Sequence, residues 1–263
     1  RLTEKTYAYV GIFSEGLASV MEDKKHVGFI DKTGAEVIAP QYASASIFSE
    51  GLAAVEVGGK WGFIDRTGTM VIAPQYRDIP TGFSEGLAAV RGKKGLAYID
   101  KTGTMIVSIK NDYNSTFVDG TALVKVKSRW GCVDRTGAYL VPADYRMMRH
   151  FSEDLAAVQD TAELWGYAAK DGSVAIAPTY NAVQDFHEGL AAVVKGGKPF
   201  FIDKTGRVPF LTPSTVTELG SFAAGLAPAK VGDKWGYIDH SGSMVIAPQY
   251  EDASMFLVGQ TKK

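Results

Sequence analysis

At 263 residues the chain is long enough to bury a core of its own. With 46% hydrophobic and 22% charged residues it matches soluble globular averages rather than a disordered tail. Lysine and arginine number 28 against 29 acids, so no net field draws in a polyanion and nucleic acid is not an expected partner. No apolar run approaches the roughly 20 residues of a spanning helix, so no membrane insertion is expected. The opening RLTEKTYAYV has no signal-peptide core, although a processed, exported chain would read the same.

Taken in chain order, the predicted elements are one pattern restated. Phe13 opens the phrase FSEGLASV, and HVGFIDKTGAEVIAPQY follows and ends at Tyr42. The next copy, Tyr42 to Tyr76, is the clearest. A weak strand lies in YASASIF, and the apolar LAAVEV is followed by the hairpin signal Gly58-Gly59. KWGFID is aromatic-rich, and the β-branched TMVIAP meets Pro74, which marks a strand end or an edge. The third copy reaches Ser108, and regularity is lost over residues 108–130, where Ile-Ala-Pro-Gln-Tyr is missing. RWGCVDRTGAYLVPADY follows, ending at Tyr145. A fifth copy is built around Trp165, and a sixth carries Pro199-Phe200. A second break spans residues 206–222, and KWGYIDHSGSMVIAPQY closes the series at Tyr250. No window holds apolar residues at helical spacing over ten positions, so the chain is predicted to be all-β.

The period is set by phenylalanine. Phe13, Phe48, Phe83, Phe117, Phe151, Phe186, Phe222 and Phe256 are separated by 35, 35, 34, 34, 35, 36 and 34 residues, which defines seven tandem units with half-repeats at both ends. All four tryptophans, Trp61, Trp130, Trp165 and Trp235, occupy one position of the unit. A large ring followed by glycine, once per unit, is expected to pack between units while the glycine lets a backbone pass closely. A row of exposed rings stacking on sugars is the less favoured alternative.

The recurring Asp-x-Thr-Gly looks at first like a protease signature. It recurs at Asp31, Asp65, Asp100, Asp134 and Asp203, and with serine at Asp239, and a residue always separates Asp from Thr. Turn chemistry accounts for it: Asp65 accepts N–H bonds two residues on, Thr67 adds a hydroxyl, and Gly68 supplies positive φ.

Other candidates for chemistry are few. His26, His150, His187 and His240 lie at unrelated offsets, which does not suggest a metal site. Cys132, the single cysteine, is expected to be a small buried side chain. The recurrent Glu15, Glu50, Glu85, Glu153 and Glu188 are read as solvated turn residues in preference to an acidic ring. Asn-Ser-Thr at Asn114 fits a glycosylation sequon by chance.

The quoted phrases, KWGFIDRTGTMVIAPQY with FSEGLAAV, resemble the WG-repeat (KWG-repeat) family, found mostly in bacteria, over essentially the whole chain. Val27 stands at the tryptophan position of the first unit, Leu96-Ala97 replaces Trp-Gly in the third, and Pro199-Phe200 does so in the sixth. The resemblance implies a tandem β-repeat protein without intrinsic catalysis or cofactor, acting in binding or scaffolding, often at the cell envelope or outside the cell. A single domain over 1–263 is expected. Its architecture is expected to be a seven-bladed β-propeller-like toroid, with an open superhelix as the alternative. The expected partner is a protein or peptide, with a carbohydrate-binding surface module as runner-up. Function is expected where the pattern breaks, because packing no longer dictates those residues: Tyr113, Phe117, Arg129, Phe210 and Thr212.

Overall fold

The computed structural model describes residues 6–23, 25–92, 95–109, 113 and 115–254; Asn114 and the eighth phenylalanine, Phe256, lie outside them. The chain divides into two compact units, Arg1–Lys127 with Val133–Ala138, and Ser128–Cys132 with Tyr139–Lys263. The chain is all-β: no helix occurs among the described residues, and the strands form seven small antiparallel sheets, each a meander in sequence order like a propeller blade.

In the first unit the sheets are built by Tyr9–Ser14, Leu17–Met21, Val27–Asp31 and Glu36–Tyr42, then by Ser44–Ala45, Leu52–Val57, Lys60–Asp65 and Met70–Tyr76, then by Ala88–Gly92, Gly95–Ile99 and Met105–Ile109. A three-stranded sheet is built by Thr121–Val126, Arg129–Asp134 and Tyr139–Tyr145. The second unit continues with Met147–Ser152, Leu155–Gln159, Trp165–Ala169 and Val174–Tyr180. Its next sheet is Ala182–Val183, Leu190–Lys195 and Lys198–Asp203, and its last is Val216–Leu219, Leu226–Val231, Lys234–Asp239 and Met244–Tyr250.

Burial explains the sequence of each strand. Leu52 to Val55 are all buried, because this second strand is covered on both faces, so it reads as a continuous apolar run rather than an alternation. On the outer strand Met70–Tyr76 only Ile72 and Tyr76 are buried. Pro74 lies within that outermost strand, where no neighbour needs its missing N–H.

Successive sheets within a unit share one core. Leu17, Phe29, Ile38 and Tyr42 of the first sheet pack with Phe48, Ala53, Val55 and Ile64 of the second. The periodic phenylalanine meets the aromatic ring of the preceding repeat edge-on. Ring centroids are 4.9 Å apart for Phe29 and Phe48, 5.0 Å for Phe63 and Phe83, and 4.8 Å for Tyr98 and Phe117. In the second unit they are 4.7 Å apart for Tyr167 and Phe186 and, tilted, 4.7 Å for Phe201 and Phe222. Such pairs add about 0.5–1.5 kcal/mol beyond area burial. Phe117 is therefore core, with no exposed surface, and offers a partner nothing. Its place in the 34- to 36-residue series was the signal that it belongs to packing rather than to the break around it.

Candidate functional site

Three recurring devices use up the conserved-looking side chains of the repeat. The first is the turn. Asp65 Oδ1 accepts the Thr67 N–H at 2.9 Å, the Thr67 hydroxyl at 2.6 Å and the Thr69 N–H at 3.0 Å, and Gly68 closes the turn at φ 86°. The Thr67 hydroxyl and these backbone N–H groups hold the Asp65 carboxyl below its ordinary value. Asp31, Asp100, Asp134 and Asp203 are lowered for the same reason, and Asp239 by Ser241. A carboxylate saturated by its own turn is a poor general base.

The second device is a close backbone approach. A Cβ placed on Gly62 would lie 2.4 Å from the Ile72 carbonyl oxygen and 2.8 Å from the Pro74 nitrogen. The cause is a bulge: Trp61 faces Tyr76 and Phe63 faces Ile72, so three residues of the outer strand oppose Gly62 alone. The third repeat supplies the control. There Ala97 replaces the glycine, the proline is absent, and Ala97 faces Ser108 and Tyr98 faces Val107 in unbroken register.

The third device is a clasp that the solvated-turn reading of the glutamates did not anticipate. Glu50 and Gly51 both have positive φ, 51° and 87°, as a two-residue hairpin loop requires. The glutamate side chain then reaches the following repeat: Glu50 Oε2 accepts the Gly86 N–H at 2.9 Å and pairs with Lys101 at 3.2 Å, while Ser49 donates to the Phe83 carbonyl at 2.6 Å. The arrangement recurs with Glu15 on Gly51, Glu85 on Gly120, Glu153 on Gly189 and Lys204, and Glu188 on Gly225 and His240. Burial pushes the Glu50 carboxyl up, but Lys101 and the Gly86 N–H outweigh it and hold it below its ordinary value.

The tryptophans are not equivalent. Trp61 is buried at 5% exposure, whereas Trp130, Trp165 and Trp235 are half-buried. Cations cover two of the rings: the Arg149 guanidinium lies 5.0 Å from the centroid of Trp165, and the Lys230 ammonium 5.6 Å from that of Trp235.

The sixth repeat departs from all of this. Pro199 and Phe200 hold the Trp-Gly positions, and Phe200 carries a ring where Gly62 has no room for a methyl. Accordingly no outer strand follows Lys198–Asp203 in its sheet. Phe210 still takes the place of the buried isoleucine: its ring lies 5.7 Å from Phe201, and it crowds Gly242 as Ile38 crowds Gly68. A cavity of about 560 Å³ here is lined by Lys198, Pro199 and Phe200 and by Val208, Leu211 and Thr212. The Thr212 hydroxyl is enclosed without a hydrogen-bond partner. Leu211 is 88% exposed.

Of the other break residues, Tyr113 is exposed and Arg129 is half-buried at the start of Arg129–Asp134. Phe210 and Thr212 share the sixth-repeat break, whereas Tyr113 and Phe117 belong to the other compact unit. Among the described residues no group of three His, Cys, Asp or Glu side chains is placed to hold a metal ion, and no helix is long and apolar enough to cross a membrane.

The family model described as WG containing repeat matches seven consecutive segments, residues 28–61, 61–96, 97–130, 130–160, 165–198, 200–235 and 235–258. The chain belongs to this family. As a WG-repeat protein it is a β-repeat scaffold. Among curated proteins none matches. Three solved structures are loose likenesses. The computationally designed Ika8 protein is 14% identical over 92% of this chain and 87% of that one, at a TM-score of 0.45. BamB from Moraxella catarrhalis is 15% identical over 84% and 79%, at 0.44, and a structure titled as the eukaryotic initiation factor is 14% identical over 86% and 72%, at 0.47. At these scores they carry no argument about this WG-repeat chain.

Proposed function

We propose that this WG-repeat chain is a noncatalytic binding module that engages a protein or peptide through the segments where the repeat breaks, chiefly residues 206–222. One observation supports this reading above others: the recurring side chains are committed to turns, clasps and core, whereas in the sixth-repeat break Leu211 and Val208 stand 88% and 50% exposed. Exposed apolar side chains beside a cavity are what a binding surface requires. A sugar platform is less well supported, because cations already lie over Trp165 and Trp235.

The test is a photo-crosslinking residue installed in place of Leu211, with a second chain labelled in place of Val245, which is also exposed but sits on a regular outer strand. The expected result is a discrete crosslinked polypeptide from position 211, competed by unlabelled chain and absent from position 245. Equal labelling from both positions, or none from position 211, contradicts the proposal.

A further inference from the structure

The cavity of the sixth repeat is accompanied by an unusual charge arrangement. Lys195 and Lys198 face each other across the Gly196-Gly197 turn, with both glycines at positive φ. At the same register the second repeat pairs Val57 with Lys60 and the seventh pairs Val231 with Lys234. Like charges directly opposite on an antiparallel pair repel. Neither lysine joins an ion pair among the described residues, although the Lys195 ammonium lies 5.9 Å from the Tyr180 ring centroid. So the repeat that lost its outer strand also gained an uncompensated positive pair, and one member of that pair, Lys198, lines the cavity.

The larger part of the remaining lining is apolar, from Pro199, Phe200, Val208, Leu211, Pro213 and Val216, and Thr212, Ser214 and Thr217 add hydroxyls to it. At about 560 Å³ the space falls within the range of sites for small organic ligands, roughly 300–1,000 Å³. An added strand in the regular position is excluded by the same physics that opened the cavity. Phe200 occupies the space into which the bulged outer strand fits elsewhere, and Pro199 offers no N–H to pair with.

We propose that the sixth-repeat cavity is a binding site for an apolar monoanion, a compact hydrocarbon body ending in one carboxylate. The body displaces water from the Phe200 and Leu211 walls, and the carboxylate sits at the Lys198 end, relieving the repulsion with Lys195. That chemistry has two sources, a free fatty acid and the carboxyl terminus of an apolar peptide. The site lies in the same 206–222 segment as the proposed partner surface and names a ligand chemistry for it; it fails separately from that reading, because carboxylate binding is measured without any folded partner.

The experiment is calorimetric titration of the full chain with decanoate and with a short peptide ending in apolar residues and a free carboxylate. Decanol and the C-terminally amidated peptide serve as the uncharged counterparts. The expected result is saturable binding of at least one carboxylate, with its neutral counterpart weaker by about tenfold or more. Whichever carboxylate binds more tightly identifies the source. Lys198→Met and Leu211→Ser should each weaken binding by about tenfold with unchanged melting temperature, since both side chains are exposed. Lys234→Met, the equivalent position of the seventh repeat, should leave it unchanged. Absence of binding by both carboxylates, equal affinity for acid and neutral forms, or binding indifferent to Lys198→Met would each overturn the proposal.

Discussion

Replacing Gly62 with alanine isolates the Trp-Gly glycine from every other feature of the repeat. The added Cβ would lie 2.4 Å from the Ile72 oxygen, 2.8 Å from the Pro74 nitrogen and 3.0 Å from the Ala73 carbonyl carbon, so the outer strand Met70–Tyr76 must retreat by about 1 Å to restore ordinary contact. Overpacking of this kind costs about 1–3 kcal/mol, or more if the strand detaches and uncovers Ile72 and Tyr76, now 3% and 7% exposed. Alanine recovers about 0.5–1 kcal/mol through the smaller entropy loss on ordering its backbone. The balance is a net loss of about 1 kcal/mol, a fall of about 2–4 °C in melting temperature for a chain of this size. Urea unfolding measures it, with a lower midpoint and unchanged slope expected. The third repeat provides the reciprocal change: no bulge opposes Ala97, so Ala97→Gly relieves no clash and should cost about 1–2 kcal/mol, from backbone entropy and the lost burial of its methyl. A neutral or stabilising Gly62→Ala would refute the close-approach account.

Trp61→Ala should cost about 3–5 kcal/mol, and Trp235→Ala less, because only Trp61 is fully buried; equal losses in calorimetric melting would contradict this ordering. Glu50→Asn suits the positive-φ turn better than glutamate but cannot reach Gly86 or Lys101, so a loss of about 1 kcal/mol is expected, and a gain in stability would show that the clasp contributes nothing. The turn carboxylates set the acid limb. Their folded values lie below the ordinary 3.8, so their contribution is fully present above that value and is lost as pH falls through the folded pKa. Melting temperature should therefore hold down to about pH 5 and then fall. Thr67→Val should move the Asp65 carboxyl back toward 3.8 in an NMR titration, and an unmoved titration would remove the hydroxyl as the cause.

The period, the β class and the turn could be read from the chain because each depends on residues a few positions apart. Asp65, Thr67 and Gly68 lie within one hairpin, and the physics that places them is local. The clasp could not be read in the same way. Glu50 meets Gly86 and Lys101, 36 and 51 positions away, and within its own turn it looks like any exposed acid. The even recurrence of Ser-Glu-Gly beside a basic residue after the turn aspartate was the available signal, and it needed the contact between repeats to give it meaning. Pro74 was legible as an edge residue, whereas the bulge opposite Gly62 was not, because it depends on register between two strands. In the sixth repeat the loss of glycine and the loss of the outer strand are one event. Phe200 in the sequence announces it only once Gly62 has shown what the position must accommodate.

The measurement that bears most directly on the division between scaffold and binding surface is a saturation mutational scan of all seven repeats, with folding and partner capture read separately. The account predicts that substitutions at the turn aspartates, the Trp-Gly glycines and the clasp glutamates lower folding and capture together. Substitutions that abolish capture while leaving folding intact should cluster in residues 206–222. Capture-only positions falling instead on the regular turns, with the sixth-repeat break silent, would contradict it.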